Sequence, residues 1–433
     1  MGAGVVIVGA SLAGLTTAEG LRDNGYRGPI TLVGEEDRAP YSRPPLSKQV
    51  LAGTWDVERT TLRDVEQLDS LGVRHLRGQR ATAVDAASRT ITVGGSMLPF
   101  EYLVAATGVA ARRLRNPHGV RGIHSLRTID DVLALRRDLD GADRVAVVGA
   151  GVLGCETAAA VRSAGHDVTL IGRTAESRFG QTGGHLSPMI AAVLQENGVR
   201  MRMGSDVSAV ESSAVESSAI ESSAITSRAV DGHRTVSALR LADGSAVRAD
   251  VVIAAIGCSP AVGWLSGTGI DISDGVLCDA NGVAAPGIYA VGDVARWLNP
   301  LTGEARRIEH QATAIERAHA LARFIVTGES TAPIAAFFWS EFFGNRILVH
   351  GRLDPDLPLT VLAGDPADRR FVGATILRGC PTGLVGWNMP REFRAERSRL
   401  IHQSGMATET STETCTETCT ETNTAPRQGS AVA

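Results

Sequence analysis

Residues 144–173, RVAVVGAGVLGCETAAAVRSAGHDVTLIGR, have the pattern of an apolar strand, a glycine-rich turn, a helix and a second apolar strand. Gly149, Gly151 and Gly154 occupy the three glycine positions of a dinucleotide-binding βαβ unit. The first glycine turns the chain, the second lets backbone approach a pyrophosphate, and the third lets the helix pack on the strand. The helix then presents unpaired N–H groups to the phosphates, so the stretch predicts a bound dinucleotide.

The same pattern is present earlier in the chain, at residues 4–36. Its turn contains Gly9, Ser11 and Gly14, with serine at the middle position where glycine is usual. The two turns are about 140 residues apart. One such turn alone is weak, but two of them, each between a strand and a helix, predict that one chain binds two dinucleotides.

The residue after the second strand differs in charge between the two units. In the first unit we favour Glu35 over Glu36, because a carboxylate there can accept hydrogen bonds from both hydroxyls of an adenosine ribose; the alternative is a solvated acidic turn. Arg173 takes this place in the second unit. An arginine can clamp a 2′-phosphate but cannot accept from a 2′-hydroxyl. We therefore predict a preference for NADPH over NADH, unless Arg173 simply points into solvent.

Composition and charge restrict the functional classes. The chain has 433 residues, a net charge of −4 and a pI near 6.2, which gives no general attraction to nucleic acid or to anionic membranes. No apolar run is long enough to span a bilayer, and the first strand begins too early to leave room for a signal peptide. The six cysteines are scattered, without the C-x4-C pair of a disulfide reductase. These features predict a cytoplasmic protein with no metal, either a monomer or a homodimer.

Several short motifs follow predicted strands, where ligands bind in doubly wound folds. They end in Thr107-Gly108, in Gly257 and in Gly292-Asp293. A helix over residues 309–326 comes next, and then the aromatic segment FFWSEFF at 337–343. Such a cluster is usually core; the alternative is a wall beside a flat cofactor.

Taken together, these motifs resemble the flavoprotein ferredoxin reductases that serve cytochromes P450 and Rieske-type oxygenases. The resemblance covers about residues 4–400, and RPPLSK with a downstream GD motif is its specific part. The motifs are GASLAG at 9–14, GEE at 34–36, RPPLSK at 43–48, ATG at 106–108, LRT at 126–128, GAGVLGCE at 149–156, YAVGD at 289–293 and EH at 309–310.

The resemblance implies two cofactors, FAD and either NADPH or NADH, with Asp293 holding a ribityl hydroxyl. It also implies that Lys48 lies near the reactive flavin nitrogen and pairs with Glu156. The residues implied to contact FAD are Ala13, Glu35, Arg43, Lys48, Ala81, Arg127, Asp293 and Gln311, with His310 beside them.

Lys48 is the only lysine among 43 basic residues. A compact ammonium differs from a planar guanidinium, and a cation at this place stabilises negative charge on a reduced flavin. This chemistry predicts that Lys48 and Glu156 are catalytic. The alternative is a surface lysine retained by chance.

The resemblance also implies an α/β fold with two Rossmann-like domains, for FAD and NAD(P), and a smaller α+β C-terminal domain. The FAD domain is predicted in two parts, 1–112 and 251–326, on either side of an NAD(P) domain at 113–250. That domain contains a VESSA repeat, predicted to be a disordered loop at 210–227. The interface domain is predicted at 327–405 and a disordered low-complexity tail at 406–433. Cys415 and Cys419 in the tail have metal-like spacing but no partner residues, so no metal site is assigned.

The resulting functional hypothesis is hydride transfer from NAD(P)H to FAD, followed by single-electron transfer to a small iron–sulfur ferredoxin that feeds an oxygenase. The ferredoxin is expected to be acidic and to meet a basic rim. Candidates for that rim are Arg296, Arg306, Arg307, Arg391, Arg394, Arg397 and Arg399. Two alternatives remain open: an NAD(P)H oxidase or small-molecule reductase, and an NADH-sensing flavoprotein.

Overall fold

The computed structural model describes residues 3–116, 119–177, 179–180, 182–214, 234–300, 302–331 and 335–410. Its first segment forms most of a parallel sheet with the order β3-β2-β1-β6, whose strand β1 is buried along its whole length, as a central parallel strand requires. The elements of this segment are β1 (Gly4–Val8), α1 (Leu12–Asp23), β2 (Ile30–Val33), α2 (Val65–Ser70), β3 (Val73–Leu76), β4 (Ala81–Asp85), β5 (Thr90–Val93), β6 (Ser96–Ala105) and β7 (Val109–Ala111).

The second segment forms a parallel sheet of its own, with the order β11-β10-β9-β15-β8, and an antiparallel sheet β12-β13-β14. Helix α3 starts at a capping box, in which the Thr128 side chain accepts from the backbone N–H of Asp131. The elements are β8 (Ile123–Ser125), α3 (Ile129–Leu139), β9 (Arg144–Val148), α4 (Val152–Ser163), β10 (Asp167–Gly172), α5 (Ser187–Glu196), β11 (Arg200–Met203), β12 (Val207–Ala214), β13 (Arg234–Leu241), β14 (Ala246–Arg248) and β15 (Val251–Ala254).

The third segment returns to the first sheet, where β19 lies parallel to β6 with Ile288 opposite Leu103. A short antiparallel pair, β7 with β16, joins the first and third segments. The elements are β16 (Cys258–Pro260), β17 (Val276–Cys278), β18 (Val283–Ala285), β19 (Ile288–Ala290), β20 (Ala295–Leu298), β21 (Ala305–Arg307) and α6 (Gln311–Thr327).

The last segment is a five-stranded antiparallel sheet with the order β22-β23-β26-β25-β24, followed by a helix. Trp387 and Phe371 stack within its buried core. The elements are β22 (Phe337–Phe342), β23 (Asn345–Gly351), β24 (Leu359–Asp365), β25 (Arg370–Leu377), β26 (Cys380–Trp387) and α7 (Pro390–Thr410). None of the described helices is both long enough and apolar enough to cross a bilayer.

Three sequence predictions are wrong. The loop predicted at 210–227 starts too early, because the first VESSA copy continues β12 and pairs with β13; residues 215–227 lie outside the described residues. The tail predicted from residue 406 starts too early as well, since α7 continues to Thr410. The NAD(P) domain predicted at 113–250 ends too early, since β15 (Val251–Ala254) pairs with β9 in the inner parallel sheet.

Candidate active site

A cleft of about 600 Å³ lies where the two glycine turns, the start of α6 and strand β22 meet. It brings together fourteen of the sequence-predicted residues: Ser11, Ala13, Arg43, Lys48, Thr107, Gly108, Arg127, Gly151, Glu156, Gly257, Gly292, Asp293, His310 and Gln311. The other seven do not line it: Gly9, Gly14, Glu35, Ala81, Gly149, Gly154 and Arg173.

Four of those seven residues are turn glycines, which set the path of the backbone next to the cleft. Gly9 and Gly149 have φ values of +121° and +111°, which favour glycine. A Cβ at either position would overlap the carbonyl oxygen of a neighbouring strand end, Ala106 or Ala255. Both turns therefore bring backbone closer together than any side chain would allow.

Lys48 and Glu156 form an ion pair in the wall of the cleft, with Lys48 Nζ 2.8 Å from Glu156 Oε2. Their side chains are only 13% and 6% exposed. Ser340 Oγ, fully buried on β22, donates to Glu156 Oε1 at 2.6 Å. The Lys48 ammonium also lies 4.9 Å from the centre of the Trp339 ring, within cation–π distance. Each member of the pair is thus held by a residue from the C-terminal sheet.

A second network surrounds Asp293. Arg127 Nη2 lies 3.1 Å from Asp293 Oδ2, and Arg43 donates to the carbonyl oxygen of Arg127 at 2.7 Å. Glu36 fixes Arg43 in turn, with an oxygen 2.8 Å from Arg43 Nη2, and also accepts from the Tyr41 hydroxyl at 2.6 Å. Burial raises the pKa of Asp293, an effect that the Arg127 guanidinium opposes.

His310 and Cys258 occupy the wall near the start of α6. The His310 ring lies 4.9 Å from the ring of Phe338, and burial lowers its pKa to about 4, which keeps the imidazole neutral at pH 7. Cys258 Sγ donates to Glu309 at 3.0 Å. Burial raises the pKa of this thiol to about 12, so it is protonated at neutral pH.

Three predicted residues lie at strand boundaries outside the cleft. Glu35 is 61% exposed and accepts from Arg80 Nε at 2.9 Å. Ala81 begins β4 opposite Val93. Arg173 is exposed after β10 and makes no ion pair among the described residues.

The residues present fit two dinucleotides. Arg127 Nε and His310 Nδ1 are buried and have no hydrogen-bond partner among the described residues, although both side chains line the cleft. Gly292 has no room for a side chain, because a Cβ there would come within 2.8 Å of the Ala13 Cβ. Ser11 and Gly151 are the N-cap residues of α1 and α4 and line the same cleft, and neither makes a side-chain cap hydrogen bond. Their first N–H groups are available to phosphates.

Sequence reasoning missed three contributors: Ser340, Glu36 and Cys258. The motif GEE contains Glu36, but the sequence does not show which of its two adjacent glutamates points toward Arg43. The aromatic segment contained Ser340 and was interpreted as either core or cofactor wall. It is both, because Phe338 and Phe342 are buried while Phe337, Phe338 and Trp339 line the cleft.

The family model for pyridine nucleotide-disulphide oxidoreductases matches residues 3–318. The chain belongs to this family. It is 33% identical to the ferredoxin–NAD(+) reductase component of the biphenyl dioxygenase system of Paraburkholderia xenovorans, over 90% of this chain and 91% of the relative. It is 32% identical to putidaredoxin reductase of Pseudomonas putida, over 83% of this chain and 86% of the relative.

A solved structure supports the same assignment. The fold is similar to that of a chain in the crystal structure of the covalent putidaredoxin reductase–putidaredoxin complex, with a TM-score of 0.83 and 30% identity. The match covers 92% of this chain and 93% of the other. The predicted fold class, the predicted oxidoreductase class and the predicted pairing of FAD with NAD(P)H are confirmed by this membership.

Proposed function

We propose that this pyridine nucleotide oxidoreductase is an NAD(P)H:ferredoxin reductase, which supplies single electrons to a small iron–sulfur ferredoxin and through it to a P450 or Rieske-type oxygenase. This proposal rests on one observation: both glycine turns open into one cleft, which is also lined by a buried lysine–carboxylate pair. FAD bound there would accept a hydride from NAD(P)H and release its electrons one at a time. The relatives named for ferredoxin reduction support the choice of acceptor.

The Lys48 ammonium lines the cleft and would stabilise the negative charge that a flavin bound there gains on reduction. Its low exposure strengthens the interaction by excluding water. Glu156 and Trp339 keep the ammonium in one position, while Ser340 keeps the carboxylate from rotating. We assign catalytic roles to Lys48 and Glu156 and a positioning role to Ser340.

The second network suits the FAD sugar-phosphate chain. Asp293 can accept a hydrogen bond from a ribityl hydroxyl, and the guanidinium groups of Arg43 and Arg127, which also line the cleft, can pair with phosphate oxygens. Glu35 lies after β2, where a ribose carboxylate is expected, and its pairing with Arg80 leaves it near the surface. Ala81 and the turn glycines outside the cleft are assigned a role in shaping the backbone around the two dinucleotides. These glycines are Gly9, Gly14, Gly149 and Gly154.

We propose NADPH as the preferred nucleotide. Arg173 follows β10 at the position where Glu35 follows β2, and it makes no ion pair among the described residues. A free guanidinium there can clamp a 2′-phosphate. Steady-state kcat/KM values with both nucleotides test this, and a tenfold or larger preference for NADH rejects it.

The ferredoxin contact is proposed for the exposed start of α7. Arg391 and Arg394 are exposed there and make no ion pair among the described residues. Arg307 is unsuitable, because its mostly buried guanidinium is engaged by Asp274 and Glu309. We also place the chain in the reducing cytoplasm, since the described thiols Cys155, Cys258 and Cys278 form no disulfide.

The test of the function is stopped-flow reduction of the holoenzyme by NADPH, followed by mixing with oxidised [2Fe–2S] ferredoxins. We expect flavin bleaching in the first step and stoichiometric reduction of two ferredoxins in the second. Equal turnover with and without ferredoxin, with oxygen consumed in its place, would reject the ferredoxin reductase in favour of an oxidase.

A further inference from the structure

A second cleft, of about 330 Å³, lies behind the Lys48–Glu156 pair. Lys48 and Glu156 line this cleft as well as the main one, so the ion pair is a wall shared by both. The rest of the second cleft is formed by the segment after Lys48, one face of α4, and the turn between β22 and β23. The pair can therefore be reached from two directions.

The reaction proposed above requires a proton to leave the site; this step rests on that proposed function. A hydride carries two electrons and one proton, whereas two one-electron acceptors take only the electrons. Each NAD(P)H oxidised therefore gives NAD(P)+, two reduced acceptors and one proton. On the main-cleft side, the bound dinucleotides would occupy the space between the ion pair and solvent.

We propose that this proton leaves through the second cleft, with Glu156 as the relay. The N–H bond that would hold this proton on the reduced cofactor breaks as an O–H bond forms at the Glu156 carboxylate. That O–H bond breaks in turn when a water molecule in the second cleft accepts the proton. Lys48 remains an ammonium ion, and no electron moves in this step. Ser340 holds Oε1 and Lys48 holds Oε2, so the carboxylate stays in the wall between the two clefts.

The lining of the second cleft suits water. Ala52 and Ala160 have small side chains that leave the space open, while Thr54, Ser163 and Asn345 offer polar atoms. A volume of about 330 Å³ accommodates several waters, each of which takes about 30 Å³ in the liquid. Glu341, paired with Arg346 and partly exposed, adds a further carboxylate toward solvent.

The test fills the second cleft while both residues of the ion pair stay unchanged. Ala160→Phe places a ring in the cleft, and Ala87→Phe, in the exposed β4–β5 turn, is the matched control. The holoenzyme is reduced by one equivalent of NADPH and mixed with ferricyanide in weak buffer containing a pH indicator. Flavin absorbance and proton release are followed together.

In the wild type and in A87F we expect one proton per two ferricyanide ions reduced, released as the flavin reoxidises. In A160F we expect proton release to slow about tenfold, since the relay loses its water acceptor, while flavin reduction by NADPH stays within about twofold. If A160F does not retain flavin, the exposed variant Ser163→Phe replaces it. Wild-type proton release in the cleft-filling variant that retains flavin overturns the proposal.

Ferricyanide separates this inference from the proposed function, because it accepts single electrons without a docking site. An enzyme that releases protons through the second cleft but reduces no ferredoxin would contradict the proposed function and support the proton route. An enzyme that reduces ferredoxin, but whose A160F or S163F variant releases protons at the wild-type rate, would support the proposed function and contradict the proton route.

Discussion

The glycine turns of the two βαβ units have similar backbone conformations, but the units carry different side chains at three matching positions. Gly9 and Gly149 share the same left-handed conformation, and each lies against the carbonyl of a neighbouring strand end. Ser11 and Gly151, at the starts of α1 and α4, are both extended. Each glycine turn, with the start of the helix after it, is called a cradle here, because it can hold a dinucleotide. The cradle is formed by backbone, and it accepts a serine at its middle position.

The differences decide what each cradle does. Two residues beyond the third glycine, α1 carries Thr16, which is buried, whereas α4 carries Glu156, which holds Lys48. After the second strand, the first unit carries Glu35 and the second carries Arg173. The comparison teaches that two side chains distinguish a unit suited to holding FAD from one suited to an exchanging nicotinamide nucleotide.

The largest expected effect comes from adding one methyl group to each turn. Gly9→Ala and Gly149→Ala both force a Cβ into a carbonyl oxygen in a left-handed conformation, at a cost of about 3 kcal/mol each. We expect G9A to lose its flavin and G149A to keep the flavin but lose nicotinamide binding. Flavin content per chain and NADP+ titration measure this. Loss of flavin from G149A would show that the two cradles are not independent.

A second substitution gives α4 the residue that α1 has at the matching position, Thr16. Glu156→Thr leaves the Lys48 ammonium buried without a carboxylate, which we expect to destabilise the fold by about 3 kcal/mol. Flavin reduction should slow about 100-fold, because the cation loses its fixed position. Denaturant midpoints and stopped-flow rates check these effects. The control, Glu156→Gln, keeps an acceptor for Ser340 but removes the charge; rates within twofold of wild type in both variants would remove the pair from the mechanism.

A third substitution exchanges the charge after the second strand. Arg173→Glu places an acid where the first unit has Glu35, so we expect kcat/KM for NADPH to fall about tenfold or more and that for NADH to rise. The exposed Arg248→Glu on β14 is a control for charge alone. An unchanged ratio between the two nucleotides in R173E would show that Arg173 does not face the ribose.

The smallest expected effect is at the middle of the first turn. Ser11→Gly makes the two turns alike, and because Ser11 makes no cap hydrogen bond, stability should change by less than about 0.5 kcal/mol. The flavin should remain bound. Thermal unfolding of the holoprotein measures this, and a clear loss of stability would assign the Ser11 hydroxyl a contact with the cofactor.

Local patterns were sufficient for the elements that build the two cradles. The strand, helix and strand predicted within residues 4–36 are β1, α1 and β2, since apolar runs and glycine turns are local signals. The VESSA repeat misled because its period matches neither helix nor strand, yet its first copy obtains hydrogen bonds by pairing with β13. Pairing between distant strands is not visible in a local window.

The site was less predictable than the fold. Lys48 could be found because it is the only lysine, whereas Ser340 gains its role only where β22 packs against α4, 184 positions from Glu156. Glu35 and Glu36 are neighbours with the same chemistry, and only the direction of the chain after β2 sends Glu36 toward Arg43. Long-range packing, rather than residue type, determines these contacts.

The return of the chain to its first sheet affects how the protein can be made. Strand β19 lies beside β6, yet the entire second Rossmann-like sheet is synthesised between them. A ribosome therefore releases all strands of the inner unit before the outer one can close, and Gly292-Asp293 reaches its place only after that closure. Any contact between a flavin and Asp293 would form only after that closure, and a chain that ends before β19 would contain the complete second unit but a first unit without Gly292-Asp293.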